Sequence, residues 1–147
     1  MIQFEGDRDF APPPAALWGK LSDARFLVKC LPDVESVARA ESSEAVCTVR
    51  PGFSFVRGTL ELTIRVAEAV PERSVKLLLQ SKGMGNSAVV EALLALAPHE
   101  AGTRVHWQAQ VKEMGGLLKL APQGLVLGAA QKVLADAWVA VEAQLKT

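Results

Sequence analysis

The chain is poor in the residues on which most recognisable chemistries depend. It has only two cysteines, Cys30 and Cys47. They form no C-x-x-C pair, which excludes a zinc ribbon, a dithiol redox motif and a disulfide framework, and a reduced, cytoplasmic setting is the expectation. Charge of one sign is missing too: 16 Lys and Arg stand against 16 Asp and Glu. Nucleic-acid binding and a purely electrostatic grip on anionic lipid both need clustered basic residues, so neither is expected. No uninterrupted apolar run reaches the ~18 residues of a membrane span. The stretch from Met1 to Asp7 turns polar before a signal-peptide core could form. The sequence predicts no transmembrane segment and leaves peripheral membrane contact open. Without repeats, low-complexity tracts or a linker, residues 1–147 read as a single domain.

What remains is a hydrophobic chain, 50% apolar with a mean hydropathy of +0.20. From Ile2 to Phe10 the pattern alternates, with Ile2, Phe4, Gly6 and Phe10 on one side and Gln3, Glu5, Asp7 and Asp9 on the other. This predicts a half-buried antiparallel strand. Pro12-Pro13-Pro14 stops it and opens a short helix, Ala15 to Leu21. Ser22 or Asp23 caps a second, carrying Phe26, Leu27 and Leu31. Val34 to Lys112 is mostly strand, including Val46 to Arg50, Phe53-Ser54-Phe55-Val56 after the Pro51-Gly52 break, Thr59 to Val66, Val75 to Lys82 and Val105 to Lys112. Ala88 to Ala97 is rich in helix formers but is held between turn signals beside clear strands, so a meander strand is expected. From about Pro122 to Leu145 a long helix gathers Val126, Leu127, Val133, Leu134, Ala137, Trp138, Val141 and Leu145 within ~140° of arc. The order is α+β: a strand, two short helices, about six more antiparallel strands and one covering helix.

Several short motifs share their order with a known family: Phe4-Glu5-Gly6, Pro12 to Leu21 with Trp18, Leu21-Ser22-Asp23-Ala24, Cys30-Leu31-Pro32, Gly58-Thr59, Gly102-Thr103-Arg104-Val105 and Gly116-Leu117-Leu118. Over nearly its whole length the chain resembles the carbon monoxide dehydrogenase G-subunit family of the START-type helix-grip (SRPBCC) superfamily. Asp33 stands where that pattern has Gly. The resemblance implies a curved antiparallel sheet of about six to seven strands wrapped around a long C-terminal helix. It implies a pocket for a lipid- or quinone-like molecule and, in some members, service to a molybdenum hydroxylase. Trp18, Leu62, Ile64, Leu77, Leu79, Ala92, Trp107, Ala109, Val133, Ala137, Trp138 and Val141 are the expected ligand-binding residues. A solid core is the competing reading, and the alanines at 92, 109, 130 and 137 favour a pocket because small side chains leave room.

Sites for catalysis are scarce. Gly52-Phe53-Ser54-Phe55-Val56 lacks the second Gly of a nucleophile elbow. Gly83-Met84-Gly85-Asn86-Ser87-Ala88 fits G-x-G-x-x-A, but no second βαβ unit accompanies it, and a glycine-rich hairpin is the better reading. His106 falls on the wet face and His99 in a turn. Glu5, Asp7 and Asp9 form a solvated row rather than a cation site. Cys30 reads as a packed thiol, and Cys47 faces either core or solvent. With almost no titratable group in the inward-facing set, binding is favoured over general acid–base catalysis. The expectation is a non-enzymatic binder with no cofactor and no metal. An isomerase- or cyclase-type enzyme is the distant alternative and would need Glu91 turned inward.

Overall fold

The computed structural model describes residues 2–31, 33–50, 58–83, 85–120 and 122–145. Pro32, Pro51-Gly52, the expected strand Phe53-Ser54-Phe55-Val56 and Met84 lie outside the described residues. Strand β1 (Gln3–Phe10) leads into helices α1 (Pro14–Leu21) and α2 (Ala24–Lys29). Six strands follow: β2 (Val34–Ala40), β3 (Glu44–Val49), β4 (Leu60–Val70), β5 (Ser74–Gly83), β6 (Asn86–His99) and β7 (Gly102–Gly116). A 3-10 turn, Leu117–Leu120, then enters helix α3 (Gln123–Leu145). The sheet has seven strands in the order β1-β7-β6-β5-β4-β3-β2, every neighbouring pair antiparallel. This is the α+β layout expected, with β2 and β1 as its edges.

Each break in the chain has a local cause. Pro13 is extended and Pro14 opens α1 at a position whose N–H has no helical partner. Of the two capping candidates Asp23 is the N-cap, its carboxylate accepting from the Arg25 backbone N–H at 2.9 Å. Ser22 instead donates to the Trp18 carbonyl at 2.7 Å and closes α1. Asp33 has φ of +62°, the left-handed region Gly occupies freely and Asp tolerates. Its carbonyl accepts from the Arg50 N–H at 2.9 Å. The departure from the family's Gly therefore leaves a turn with the backbone conformation that Gly favours.

Residues 88–97 are extended within β6. Pairing to β5 on one side and β7 on the other satisfies their backbone groups and outweighs the helical preference of Ala and Leu. The glycine fingerprint is the β5–β6 hairpin, where Gly83 pairs with Asn86 and Gly85 has φ of +77°. Register shifts in β2, in β4 after Val66 and opposite Val89–Val90 of β6 are the kind of irregularity that bends a sheet.

The interior comprises three buried clusters. One packs Phe10, Leu17, Leu21, Val75, Leu77, Leu94, Leu96 and Val105 against Trp138 and Val141 of α3. A second sets Ala24 and Val28 of α2 on Cys47, Val49, Leu60 and Ile64. The third joins Ile2 and Val111 to Val126 at the start of α3. α3 thus follows the direction of β1, with Val126 beside Ile2 and Trp138 5.6 Å from the Phe10 ring. Arg8, an inward position of β1, donates to Glu142 at 3.1 Å and ties down the later half of the helix.

Gly6 shows how tightly β1 and β7 meet. It lies directly across from Trp107, and a Cβ placed there would come 2.8 Å from the indole ring. Gly6→Ala is expected to lower the unfolding free energy by ~1–3 kcal/mol, as overpacking does. A urea-unfolding midpoint equal to that of the wild type would contradict this account of the glycine.

Candidate functional site

The gap left between the three clusters is an apolar cavity of about 290 Å³. α3 contributes Val126, Ala129, Ala130, Val133, Leu134 and Ala137, spaced to share one helical face. The sheet contributes inward positions of five strands: Phe4, Leu60 and Leu62, Leu79 and Ser81, Ala88, Val90 and Ala92, then Ala109, Val111 and Met114. Leu31, just past α2, completes the lining. Strand alternation explains the choice, since Leu60, Leu62, Leu79 and Ser81 are in phase with the buried Ile64, Val75 and Leu77.

The residues expected from sequence divide into two groups. Leu62, Leu79, Ala92, Ala109, Val133 and Ala137 line the cavity. Leu77, Trp138 and Val141 are buried in the first cluster, Trp18 and Trp107 pack against it, and Ile64 is buried in the second. The physical reason is size. Large aromatics and in-phase aliphatics at the later end of α3 fill their space, whereas alanines along its earlier turns leave space open. The other lining residues, Phe4, Leu31, Ser81, Val90, Val111 and Met114 among them, are not in the expected ligand-binding set. Met114 lies past the register shift on β7, which the alternation does not reveal.

None of the three tryptophans is among the residues lining the cavity. Trp18 Nε1 donates to the Ser74 carbonyl at 3.1 Å, pinning α1 to β5. Trp138 Nε1 is buried without a partner among the described residues, and the ring packs against Phe10 rather than in the lining. Among the described residues Ser81 is the one lining side chain with a hydrogen-bonding group, and none there is ionisable. Glu91 faces the other side of β6, 3.7 Å from Lys76.

Both thiols are buried. Burial pushes the Cys30 thiol up to about 11 and raises that of Cys47 as well. Both are therefore protonated and poor nucleophiles at neutral pH. Among the described residues no group of three or more His, Cys, Asp and Glu side chains is placed to hold a metal.

The outward face of β1 and β7 carries the charges. His106 Nδ1 lies 2.9 Å from Asp7 and Nε2 3.4 Å from Glu5. Arg104 is bidentate on Asp9 at 2.8 and 3.1 Å, and this guanidinium holds the Asp9 carboxyl below its usual range. The Asp7 hydrogen bond, helped by the nearby carboxylates, raises His106 above the ordinary 6.5. A raised folded-state value means that the stabilisation is fully present below the unfolded pKa and is lost as pH rises through the folded one. An NMR titration should place the His106 midpoint above 6.5, and Asp7→Asn should bring it back down. An unmoved midpoint in that variant would remove Asp7 as the cause.

α3 meets the length and composition of a membrane-crossing helix, with a mean hydropathy of 1.4 over its most apolar window and 17% of that window buried. Of the helix's residues, Val126, Trp138 and Val141 are buried. Its middle apolar residues are half-buried because they border the cavity instead of packing on the sheet.

Comparison with known proteins agrees with this geometry. The family described as the carbon monoxide dehydrogenase G-subunit (CoxG) matches residues 6–146. A conserved protein from Geobacillus kaustophilus superposes with a TM-score of 0.86 at 20% identity, covering 99% of this chain and 95% of its own. A START superfamily protein from Mycobacterium smegmatis gives 0.71 at 15% identity, covering 98% and 97%. A second protein from Mycobacterium smegmatis gives 0.70 at 15%, covering 98% and 90%. At these identities the likeness is one of fold. No curated protein matches the chain in sequence.

Proposed function

Because the chain belongs to the carbon monoxide dehydrogenase G-subunit (CoxG) family, and this membership and the START-like fold suggest a ligand-binding domain, we propose that it binds a hydrophobic, lipid- or quinone-like small molecule between the sheet and α3. It holds that molecule without transforming it. The observation that carries this reading is the apolar pocket of about 290 Å³ between the sheet and α3. What sets it apart from the grooves elsewhere on the surface is a lining that is almost wholly apolar, surface that gains by being covered. The volume is near the lower end of the ~300–1,000 Å³ usual for ligand pockets. Among the described residues the wall offers dispersion and desolvation, one serine hydroxyl and no ionisable side chain to act as acid or base on it, which favours holding over turnover. We place this activity in the cytoplasm, where the free thiols Cys30 and Cys47 stay reduced.

The test is displacement of a neutral fluorescent probe, N-phenyl-1-naphthylamine, by an organic extract of the native host, with mass spectrometry of what the purified protein carries. Saturable probe binding and a co-purifying apolar molecule are the expected results. A protein that carries nothing and does not take up the probe would overturn the proposal.

The family's description favours a second reading, an accessory role for a carbon monoxide dehydrogenase of the molybdenum hydroxylase type. The exposed sides of α1 and α2 then become the contact surface. Co-purification with the hydroxylase tests it, and substitutions on those helices should weaken the association while leaving probe binding intact.

A further inference from the structure

Ser81 breaks an otherwise apolar wall. Along β5 the inward positions run Val75, Leu77, Leu79 and then Ser81, and Ser81 sits between Leu62 on β4 and Ala88 on β6. All three line the cavity. The Ser81 hydroxyl makes no hydrogen bond to the protein among the described residues, unlike Ser22, which bonds back to its own helix. A hydroxyl in apolar surroundings gains from a partner and loses without one. A ligand oxygen is such a partner.

Charge narrows the class. Among the described residues, no cationic or anionic side chain borders the cavity, and the inward Arg8 is already engaged by Glu142. A ligand carboxylate, phosphate or ammonium buried here would lack a counter-charge and would cost several kcal/mol. On the reading that this cavity holds an apolar molecule, we infer that Ser81 selects its class: an uncharged chain bearing one hydrogen-bonding oxygen, such as a ketone or alcohol, seated with that oxygen at the β5–β6 hairpin end. The hydrocarbon part then lies along Ala92, Ala109, Ala130 and Ala137 toward the Trp138 end.

The test compares decane, decanol and methyl octyl ketone as competitors of N-phenyl-1-naphthylamine on the wild type, Ser81→Ala and Ser81→Thr. Ser81→Ala should weaken the ketone and the alcohol by about tenfold, the worth of one neutral hydrogen bond. Decane should be unaffected, and Ser81→Thr, which keeps the hydroxyl, should retain the wild-type preference. Equal changes for decane and the ketone, or no change for either, would overturn the role of Ser81 while leaving apolar binding intact. Failure of the wild type to bind any of the three would instead overturn the binding proposal itself, and the role of Ser81 with it.

Discussion

Straight-chain alcohols from hexanol to tetradecanol should displace a bound apolar probe with an affinity that climbs about fourfold per added methylene and then levels off. The slope follows from ~0.8 kcal/mol per buried methylene and a tenfold change per ~1.4 kcal/mol. The plateau follows from volume. At ~30 Å³ per water-sized unit, a cavity of about 290 Å³ takes about ten heavy atoms, so carbons beyond about the tenth remain in solvent and add little. Binding to a surface patch gives a shallower slope, because each methylene is only partly desolvated. An indefinitely rising slope would mean that the helix moves aside to admit longer chains. Competition titrations at one temperature separate these cases, and a flat series would eliminate the cavity as the binding site.

The fold was legible because its signals are local and repeated. Period-two alternation in Ile2–Phe10, Thr59–Val66 and Val105–Lys112 named both the strands and their buried face. The prolines at 12–14 and the Ser22-Asp23 pair marked the short helices. Ala88–Ala97 was the hard segment, since Val89, Leu93, Ala95 and Ala97 make its outward face apolar as well and blur the alternation. Only its two flanking strands determine the outcome.

The cavity lining was half legible, for a different reason. Alternation and helical phase tell which way a side chain points, not whether another atom meets it there. Ile64, Leu77 and Val141 point inward as expected, yet they are consumed by packing against α1, α2 and β1. Leu62, Leu79 and Val133 point inward and share the cavity lining with a set of alanines. Reading the small residues as a set, at 88, 92, 109, 129, 130 and 137, locates the open level better than reading the large ones. Ser81 was missed because serine on a strand reads as a neutral interruption of the pattern.

Filling the cavity from α3 should separate binding from folding. Ala130→Phe puts a ring into the space that Ala130 of α3 lines together with Ala92 and Ala109 of the sheet. It displaces the equivalent of four to six ligand carbons, about 3–5 kcal/mol of transfer free energy, so affinity for the probe and for decanol should fall at least about 100-fold. Stability should hold or rise, because cavity-filling substitutions commonly add ~0.5–2 kcal/mol. The opposite result is expected when the same side chain replaces an alanine inside a packed cluster: Ala24→Phe, at a position with 0% exposure, has no space to enter and should destabilise by ~1–3 kcal/mol or more. Ala135→Phe, on the exposed side of α3, controls for helix propensity and surface greasiness and should leave affinity unchanged. Thermal unfolding and probe titration on the three variants decide the matter. If Ala130→Phe binds like the wild type, the ligand does not lie under α3. If it unfolds like Ala24→Phe, the space it entered was already occupied by protein.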